Sequence, residues 1–224
     1  SAVIPDYVKC YTEYLREAGY YCTNNYKTDY QFAAPVTAWD QNSQKAHWRN
    51  APEGKPFFSI FNIDVSHESF LWRNKDLSLT VKPEDVIVPP YLPDNEATRN
   101  TIARHYSNVE LMDKRVKKII DQLKEDGLYD NTIIFFYSDH GGPLPRGKRA
   151  ILDSGLKVPF MVKDTKGTTG RTDRLISFVD LAPTMLSLAG MEPKNYMEGQ
   201  AFMGKYNAPE REFVYGSSDR FDEF

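Results

Sequence analysis

TIIFFYSDHGGPLPRGKRAILDSGLKVPF, residues 132–160, carries the strongest structural signal in the chain. Its apolar and aromatic run over residues 133–137, bounded by turn signals, predicts a strand that is buried on both faces. Asp139 and His140 follow that run directly, and open α/β sheets bind their ligands at this carboxyl end of their strands. We therefore expect functional side chains immediately after this strand.

A group of basic side chains follows within the same stretch. Arg146, Lys148 and Arg149 lie in the loop after the strand, and residues 158–162 predict a second strand. A carboxylate, an imidazole and clustered cations within so few residues indicate a metal centre that faces an oxyanion. Simpler interpretations stay open for the residues alone: Asp139 could cap the strand, and Lys148 could be an ordinary surface lysine.

Strand patterns and helix patterns alternate on both sides of this stretch. Further strands are predicted over residues 20–23, 56–64 and 212–216. Helices are predicted over residues 5–18, 96–126 and 180–189. Because the helix over residues 96–126 connects two predicted core strands, it predicts a crossover between parallel strands. The predicted fold class is therefore α/β, with a mainly parallel sheet flanked by helices.

The composition is that of an ordinary globular domain. The chain has 224 residues, of which 41% are hydrophobic, and this is enough for one domain with a core. The net charge of -3, with both signs interspersed, gives no field for binding nucleic acid. No apolar run approaches the length of a membrane span, so no membrane partner is predicted. Cys10 and Cys22 could pair or remain buried thiols, and the second interpretation is favoured.

Two more polar positions follow predicted strands. Lys27 lies in the polar loop after residues 20–23, and His67 follows the strand over residues 56–64. If the strands are parallel, their carboxyl ends meet at one edge of the sheet, which would bring Lys27 and His67 towards Asp139. A single histidine at a strand end is more often a polar cap. Three polar strand ends together favour a site in which His67 acts as a general acid.

The motifs of the central stretch resemble those of the sulfatases in the alkaline-phosphatase-like superfamily. That family has SD(N or H)G after a core strand, then GK, then a segment that ends in VP. Here these are SDHG at residues 138–141, Gly147-Lys148 and Val158-Pro159. The resemblance covers nearly all of the chain. It implies the sulfatase core fold and a metal-dependent hydrolysis of sulfate esters or sulfamates.

The resemblance also implies a role for each matching residue. Asp139 and His140 would bind a divalent metal, usually calcium, with magnesium as the other possibility. Lys148 would hold sulfate oxygens and stabilise charge on the leaving oxygen, a task that suits a compact ammonium group. His67 matches the histidine that gives a proton or a hydrogen bond to the leaving oxygen. Arg146 would help to bind an acidic substrate.

A second sulfatase motif places a lysine in the loop after a strand. Lys27 matches it and would contact the sulfate and the nucleophile, whereas Asp29 replaces the family's histidine and receives no role. Residues 86–94, 103–106 and 112–113 resemble the heparan N-sulfatase branch and its bacterial relatives. The resemblance therefore implies a sulfated carbohydrate substrate, of the glycosaminoglycan type such as heparan sulfate. It also implies a periplasmic, secreted or lysosomal location.

The sulfatase nucleophile has no match in this sequence. Sulfatases oxidise a Cys or Ser in a C/S-x-P-x-R motif to formylglycine, but Cys10 is followed by Tyr-Thr-Glu and Cys22 by Thr-Asn-Asn. The sequence also does not begin with Met. We therefore expect residues 1–224 to be a single catalytic-domain fragment that lacks the N-terminal nucleophile region and a C-terminal part. Such a fragment would hold half a metal site and show no turnover of its own.

Three alternative functions remain open at this point. Residues 142–148, GPLPRGK, match the GxxxxGK spacing of a nucleotide-binding P-loop, but Pro143 and Pro145 remove N–H donors that a P-loop needs. A phosphate-ester hydrolase of the same superfamily would share the metal and the oxyanion site. The third alternative is a binding fragment without catalysis. The linkage, O-sulfate or N-sulfate, and the oligomeric state stay open as well.

Overall fold

The computed structural model describes residues 3–217, which form two compact units. The first unit holds residues 3–62 together with Thr172–Tyr215. The second unit holds Ile63–Arg171 together with residues 216 and 217. Each unit has its own sheet and its own apolar cluster.

The described residues contain five α-helices and five strands. The helices are α1 (Tyr11–Glu17), α2 (Phe70–Arg73), α3 (Glu96–Glu125), α4 (Asp153–Leu156) and α5 (Leu181–Leu188). The strands are β1 (Tyr21–Asn25), β2 (Gln41–Asn42), β3 (Phe57–Phe61), β4 (Ile134–Tyr137) and β5 (Phe160–Lys163). Short 3-10 helices lie at Trp48–Asn50, Asp64–Ser66, Pro83–Asp85 and Phe178–Asp180. Within residues 3–217, no helix combines the length and the apolar character needed to cross a membrane.

A parallel sheet of three strands forms the centre of the first unit. Its order is β2-β1-β3, so β1 has hydrogen-bonded partners on both sides. Leu15 of α1 and Leu186 of α5 form an apolar cluster with Cys22 of β1, so both helices flank this sheet. The α/β class with a parallel sheet and flanking helices, predicted from the sequence, is thereby confirmed.

The second unit is organised by α3, a helix of 30 residues. Asn95 caps its start, because the side-chain oxygen accepts a hydrogen bond from the Thr98 N–H at 3.0 Å. Ile102 and Ala103 on the apolar stripe of α3 pack with Val86, which lies in the proline-rich segment before the helix. This segment thus helps to bury the helix that follows it.

The pairing of β4 is the main difference from the sequence prediction. The apolar pattern predicts β3, α3 and β4 as a parallel crossover unit, but β3 pairs with β1 whereas β4 pairs with β5. The β4–β5 pair is antiparallel, and an antiparallel partner needs no helical crossover. The strand is also half-buried rather than buried on both faces, since Tyr137 at its end is 38% exposed. The predicted crossover is therefore wrong.

Two smaller predictions also differ from the structure, and a third is confirmed. The helix predicted over residues 5–18 begins only at Tyr11, because Cys10 is its N-cap and the Cys10 N–H donates to the Glu13 side chain at 2.8 Å. Residues 212–216 form no strand and are exposed, so that predicted strand is wrong. Cys10 and Cys22 are both free thiols, but only Cys22 is buried as predicted, since Cys10 is partly exposed. Burial raises the pKa of Cys22 to about 12.

Candidate active site

His67 and Lys148 meet in the second unit, although 81 residues separate them in sequence. Lys148 Nζ lies 3.1 Å from His67 Nε2. His67 follows the 3-10 helix Asp64–Ser66, and its N–H donates to the Asp64 carbonyl at 2.9 Å. The Lys148 side chain is 25% exposed, so its ammonium is held against the ring rather than extended into water. An imidazole and an ammonium side by side can face a single anion.

Close backbone contacts fold the loop that carries Lys148. A Cβ at Gly141 would lie 1.9 Å from the Ser154 carbonyl oxygen, and a Cβ at Gly147 would lie 2.1 Å from that of Gly142. Only glycine permits such an approach. The Lys148 N–H in turn donates to the Gly142 carbonyl at 2.9 Å. The glycines of the DHGG and GK motifs therefore fix where the lysine leaves the backbone.

The same loop argues against a nucleotide-binding P-loop. A P-loop directs main-chain N–H groups towards phosphates, but here those of Gly147, Lys148 and Ala150 donate to carbonyls of the loop itself. A P-loop also leads directly into a helix, whereas α4 begins only at Asp153. The geometry gives the nucleotide alternative no support.

Glu68 ties the His67 segment to the Lys148 loop. Its two carboxylate oxygens accept hydrogen bonds from Arg149 at 2.8 and 3.0 Å, and Lys148 Nζ lies 3.6 Å from Oε1. The Arg149 hydrogen bond, then the charges of Lys148, Arg149 and His67, lower the pKa of Glu68 to about 2. Glu68 is therefore ionised at any neutral pH. No family motif assigns Glu68 a role, and its position directly after His67 is the sequence signal for a residue that orients the histidine.

The hydrogen bonds around His67 allow two positions for its ring proton. The Lys148 ammonium can only donate to Nε2, which puts the proton on Nδ1 and directs it to Ser69 Oγ at 3.0 Å. The Ser69 N–H, 3.2 Å from Nδ1, instead requires Nδ1 to accept. A neutral ring has one accepting nitrogen, so the two networks exclude each other. His67 can thus carry its proton on either nitrogen without moving.

Asp139 and His140 lie side by side after β4. Asp139 Oδ2 is 3.6 Å from His140 Nε2, and His140 Nδ1 donates to the Gly141 carbonyl at 2.7 Å. That bond leaves Nε2 free to act as an electron-pair donor, an arrangement typical of metal-binding histidines. Bonds from metal to ligand are about 2.0–2.6 Å long, so two donors at this spacing can share one cation. The pair fits two positions of a divalent metal site.

A complete metal site is not formed by the described chain. Residues 3–217 contain no group of three or more His, Cys, Asp or Glu side chains that could hold a metal ion. A calcium ion takes about 6–8 oxygen ligands, so Asp139 and His140 would need partners from elsewhere in the full protein. The imidazole nitrogen of His140 is a softer ligand than calcium usually takes.

Arg146 is engaged with the segment before α3. Its φ of 65° lies in the left-handed region, and its guanidinium carbon is 4.6 Å from the centre of the Tyr91 ring. A cation over an aromatic ring is attracted by the negative face of that ring. Binding of an acidic substrate by Arg146 stays a prediction.

Lys27 belongs to the first unit, where a buried asparagine holds its loop. Asn24, 1% exposed, donates to the Lys27 carbonyl at 2.8 Å and to Asn42 Oδ1 at 3.0 Å, and it accepts from Asn62 at 2.9 Å. Lys27 Nζ lies 3.4 Å from Asp29 Oδ2, so Asp29 pairs with the lysine. Asn24 was not among the site residues predicted from the sequence. Its signal was a run of polar residues in an otherwise buried strand.

A protein-family model described as Sulfatase matches residues 8–191. The chain belongs to the sulfatase family. The residues of this sulfatase chain that fall within the match include Lys27, His67, Asp139 and Lys148. The family resemblance inferred from the SDHG, GK and VP motifs is therefore confirmed.

Similar proteins include sulfatases from different sources. An ulvan-active sulfatase of Formosa agariphila is 45% identical over 258 residues, covering 99% of this chain and 43% of the relative. An N-sulphoglucosamine sulphohydrolase of Homo sapiens is 32% identical over 107 residues, covering 46% of this chain and 21% of the relative. A solved phosphonate monoester hydrolase, SpPMH from Silicibacter pomeroyi, aligns with a TM-score of 0.44 and 23% identity over 57% of this chain and 27% of its own. The chain thus spans less than half the length of these two curated relatives.

Proposed function

We propose that the full-length protein hydrolyses a sulfate ester or sulfamate of a sulfated carbohydrate. The observation that best supports this proposal is the pairing of Lys148 Nζ with His67 Nε2 at 3.1 Å in a chain of the sulfatase family. The oxygen that leaves a sulfate ester needs a positive charge and a proton. An ammonium beside an imidazole offers both at one place.

Lys148 binds the sulfate oxygens and faces the bridging oxygen in this mechanism. Negative charge grows on that oxygen as its bond to sulfur breaks, so the ammonium stabilises the transition state more than the bound substrate. The loop glycines and Glu68 hold the lysine in place before substrate arrives. Such preorganised charge needs no rearrangement during the reaction.

His67 gives its Nε2 proton to the leaving oxygen. Ser69 orients the ring through its contacts with Nδ1, at 3.0 Å from Oγ and 3.2 Å from the main-chain nitrogen. Once the proton has left Nε2, that nitrogen can accept a hydrogen bond from Lys148. The ring then regains a proton from water for the next turnover.

The remaining site residues bind rather than transfer protons. Asp139 and His140 would hold a divalent metal, calcium by family resemblance, together with ligands from outside this chain. A metal bound there supplies positive charge for the sulfate oxygens and for an attacking oxygen. Lys27 would contact the sulfate and the nucleophile, and Arg146 an acidic group of the substrate. The nucleophile, formylglycine in this family, is expected outside residues 1–224.

The substrate class follows the names of the relatives. One is called an ulvan-active sulfatase and another an N-sulphoglucosamine sulphohydrolase. We extend the common class, a sulfated carbohydrate, to this protein, with glycosaminoglycans such as heparan sulfate among the candidates. Action outside the cytosol, in a periplasm, a lysosome or the medium, belongs to the same proposal.

Release of free sulfate tests this function. Full-length protein is incubated with a panel of sulfated polysaccharides, and sulfate is measured by ion chromatography before chelation, after EDTA and after added Ca²⁺ or Mg²⁺. We expect release that EDTA abolishes and a divalent cation restores. His67→Ala should be slower by about 10²-fold or more. Full activity after chelation, or an unimpaired His67→Ala variant, would contradict the assigned roles.

A further inference from the structure

Glu68 is the charged group of this site for which the family motifs offer no role. It follows His67 in sequence, and both of its oxygens hold Arg149, at 2.8 and 3.0 Å. Lys148 Nζ lies 3.6 Å from the same carboxylate and 3.1 Å from His67 Nε2. One carboxylate thus contacts two cations beside the proposed proton donor. At 21% exposure it is also less open to solvent than Arg149, at 52%.

These contacts determine where the Lys148 ammonium lies. Lys148 and Arg149 are consecutive cations, and without an anion between them their repulsion would favour turning the side chains apart. Arg149 occupies both carboxylate oxygens at short distance, whereas Lys148 stands farther from them. An ammonium has three N–H donors, so Lys148 keeps donors for His67 and for an anion.

Glu68 also balances the charge around His67. The charged groups around this ring include Lys148, 3.1 Å from Nε2, and Glu68 with its partner Arg149, and Asp64 and Arg115 lie on the elements that pack beside it. The last two pair with each other at 3.1 Å, between the 3-10 helix and α3, and largely cancel. The charge of His67 is among the causes that lower the pKa of Glu68, and the attraction acts equally in the other direction. Ionised Glu68 therefore favours a protonated ring, and the two cations of the loop oppose it.

We propose that Glu68 is a positioning residue that holds the Lys148 ammonium beside the His67 ring, where it donates to Nε2 once that nitrogen has lost its proton, and that the negative charge of Glu68 favours the protonated ring before the transfer step. In that step the proton passes from Nε2 to the bridging oxygen, the electrons of the sulfur–oxygen bond stay on that oxygen, and water later returns a proton to the ring. Glu68 itself exchanges no proton. The catalytic consequence rests on the proposed function, whereas the effect of Glu68 on His67 does not.

The direct test is an NMR titration of the His67 ring in protein labelled with ¹³C-histidine, with His67→Asn to assign its signal. Glu68→Gln keeps the shape and removes the negative charge, so the titration midpoint should move to lower pH by about one unit. Arg149→Gln removes a cation and should move the midpoint to higher pH. Glu68→Asp keeps the charge and should leave the midpoint near that of the wild type.

Asp94→Asn is the matched control for the loss of an arginine-bound carboxylate. Asp94 holds Arg99 with two bonds, at 2.6 and 2.7 Å, much as Glu68 holds Arg149. Its removal should not move the His67 midpoint. A Glu68→Gln midpoint equal to the wild type overturns the proposal, as do shifts of the same sign in Glu68→Gln and Arg149→Gln. If Glu68→Gln does not fold, Glu68→Ala, which also removes the negative charge, takes its place in the titration.

The pH dependence of sulfate release separates this inference from the function itself. In the full-length enzyme, kcat should fall on the alkaline side as His67 loses its proton, and this limb should move to lower pH in Glu68→Gln. If the wild type releases no sulfate, the proposed function is contradicted, and the NMR titration still tests the effect of Glu68 on His67. If sulfate is released but the His67 titration midpoint does not change in Glu68→Gln, only the positioning role of Glu68 is contradicted.

Discussion

Replacement of Lys148 by alanine should lower kcat far more than it disturbs the fold. The ammonium lies 3.1 Å from His67 Nε2, where charge would grow on the leaving oxygen. An interaction that strengthens in the transition state appears in kcat and not only in KM. Removal of one such stabilising group typically costs about 10²–10³-fold in kcat, which corresponds to about 2.7–4 kcal/mol.

The cost in stability should be small by comparison. Lys148 is 3.6 Å from Glu68, and in the variant Arg149 keeps both oxygens of Glu68 bonded. A partly exposed ion pair of this kind contributes about 0–1 kcal/mol to unfolding. In a chain of this size that corresponds to a fall in Tm of at most about 2–4 °C.

The assay is steady-state sulfate release by the full-length enzyme, with the Tm of every variant measured alongside. Lys148→Arg should recover only part of the rate, because a planar guanidinium does not replace a point charge at the same depth. Arg146→Ala is the control from the same loop, and it should raise KM or do nothing while kcat is kept. A normal kcat for Lys148→Ala would show that the ammonium does not reach the leaving oxygen.

Three further outcomes are expected. Asp180→Ala should lower the free energy of unfolding, measured in urea, by about 3–5 kcal/mol, because this carboxylate is 1% exposed and accepts hydrogen bonds from an arginine and two main-chain N–H groups. In the control Asp94→Ala the carboxylate is 57% exposed, and the loss should be only about 0–1 kcal/mol. Asn24→Ala should raise KM several-fold by releasing the Lys27 loop, and an unchanged KM would separate Lys27 from substrate binding. The pKa of Glu68 is lowered from 4.5 to about 2, so the Tm advantage of wild type over Glu68→Gln should be complete above pH 4.5 and vanish as the pH falls through about 2. An advantage that persists at the lowest pH would mean that the charge is not its origin.

The long helix was predictable because every local signal agrees there. α3 runs over Glu96–Glu125 against a predicted 96–126, with an apolar stripe along it, Asn95 as its cap and Gly127 after its end. Gly127 has a φ of 69°, which only glycine adopts readily. A segment can be predicted from the sequence when helix propensity, apolar pattern and capping residues all agree.

The pairing of the strands was not predictable in the same way. β3 and β4 both come from short apolar runs, and such a run does not distinguish a parallel from an antiparallel partner. The start of α1 was misplaced for a similar reason. Pro5 suits a first helical turn, but the reciprocal contacts between Cys10 and Glu13 set the start later.

The site was predictable where a motif names a residue and not where a distant partner gives it a role. Lys148 was predicted from the GK motif and His67 from its position after a predicted strand, and the structure brings them to 3.1 Å. The proposed role of Glu68 depends on a contact with a residue 81 positions away, and that of Asn24 on a contact with a residue 38 positions away. Contacts between residues so far apart in sequence depend on the fold, so a local sequence pattern does not predict them.

The preference of the enzyme for sulfate or phosphate esters can be measured with one matched pair of substrates. Full-length protein is assayed with p-nitrophenyl sulfate and p-nitrophenyl phosphate in the same buffer and with the same divalent cation, and kcat/KM is compared. The proposed function predicts a higher kcat/KM for the sulfate ester, and a loss of that activity in Lys148→Ala. A higher kcat/KM for the phosphate ester would contradict it and favour a phosphate-ester hydrolase built on the same fold.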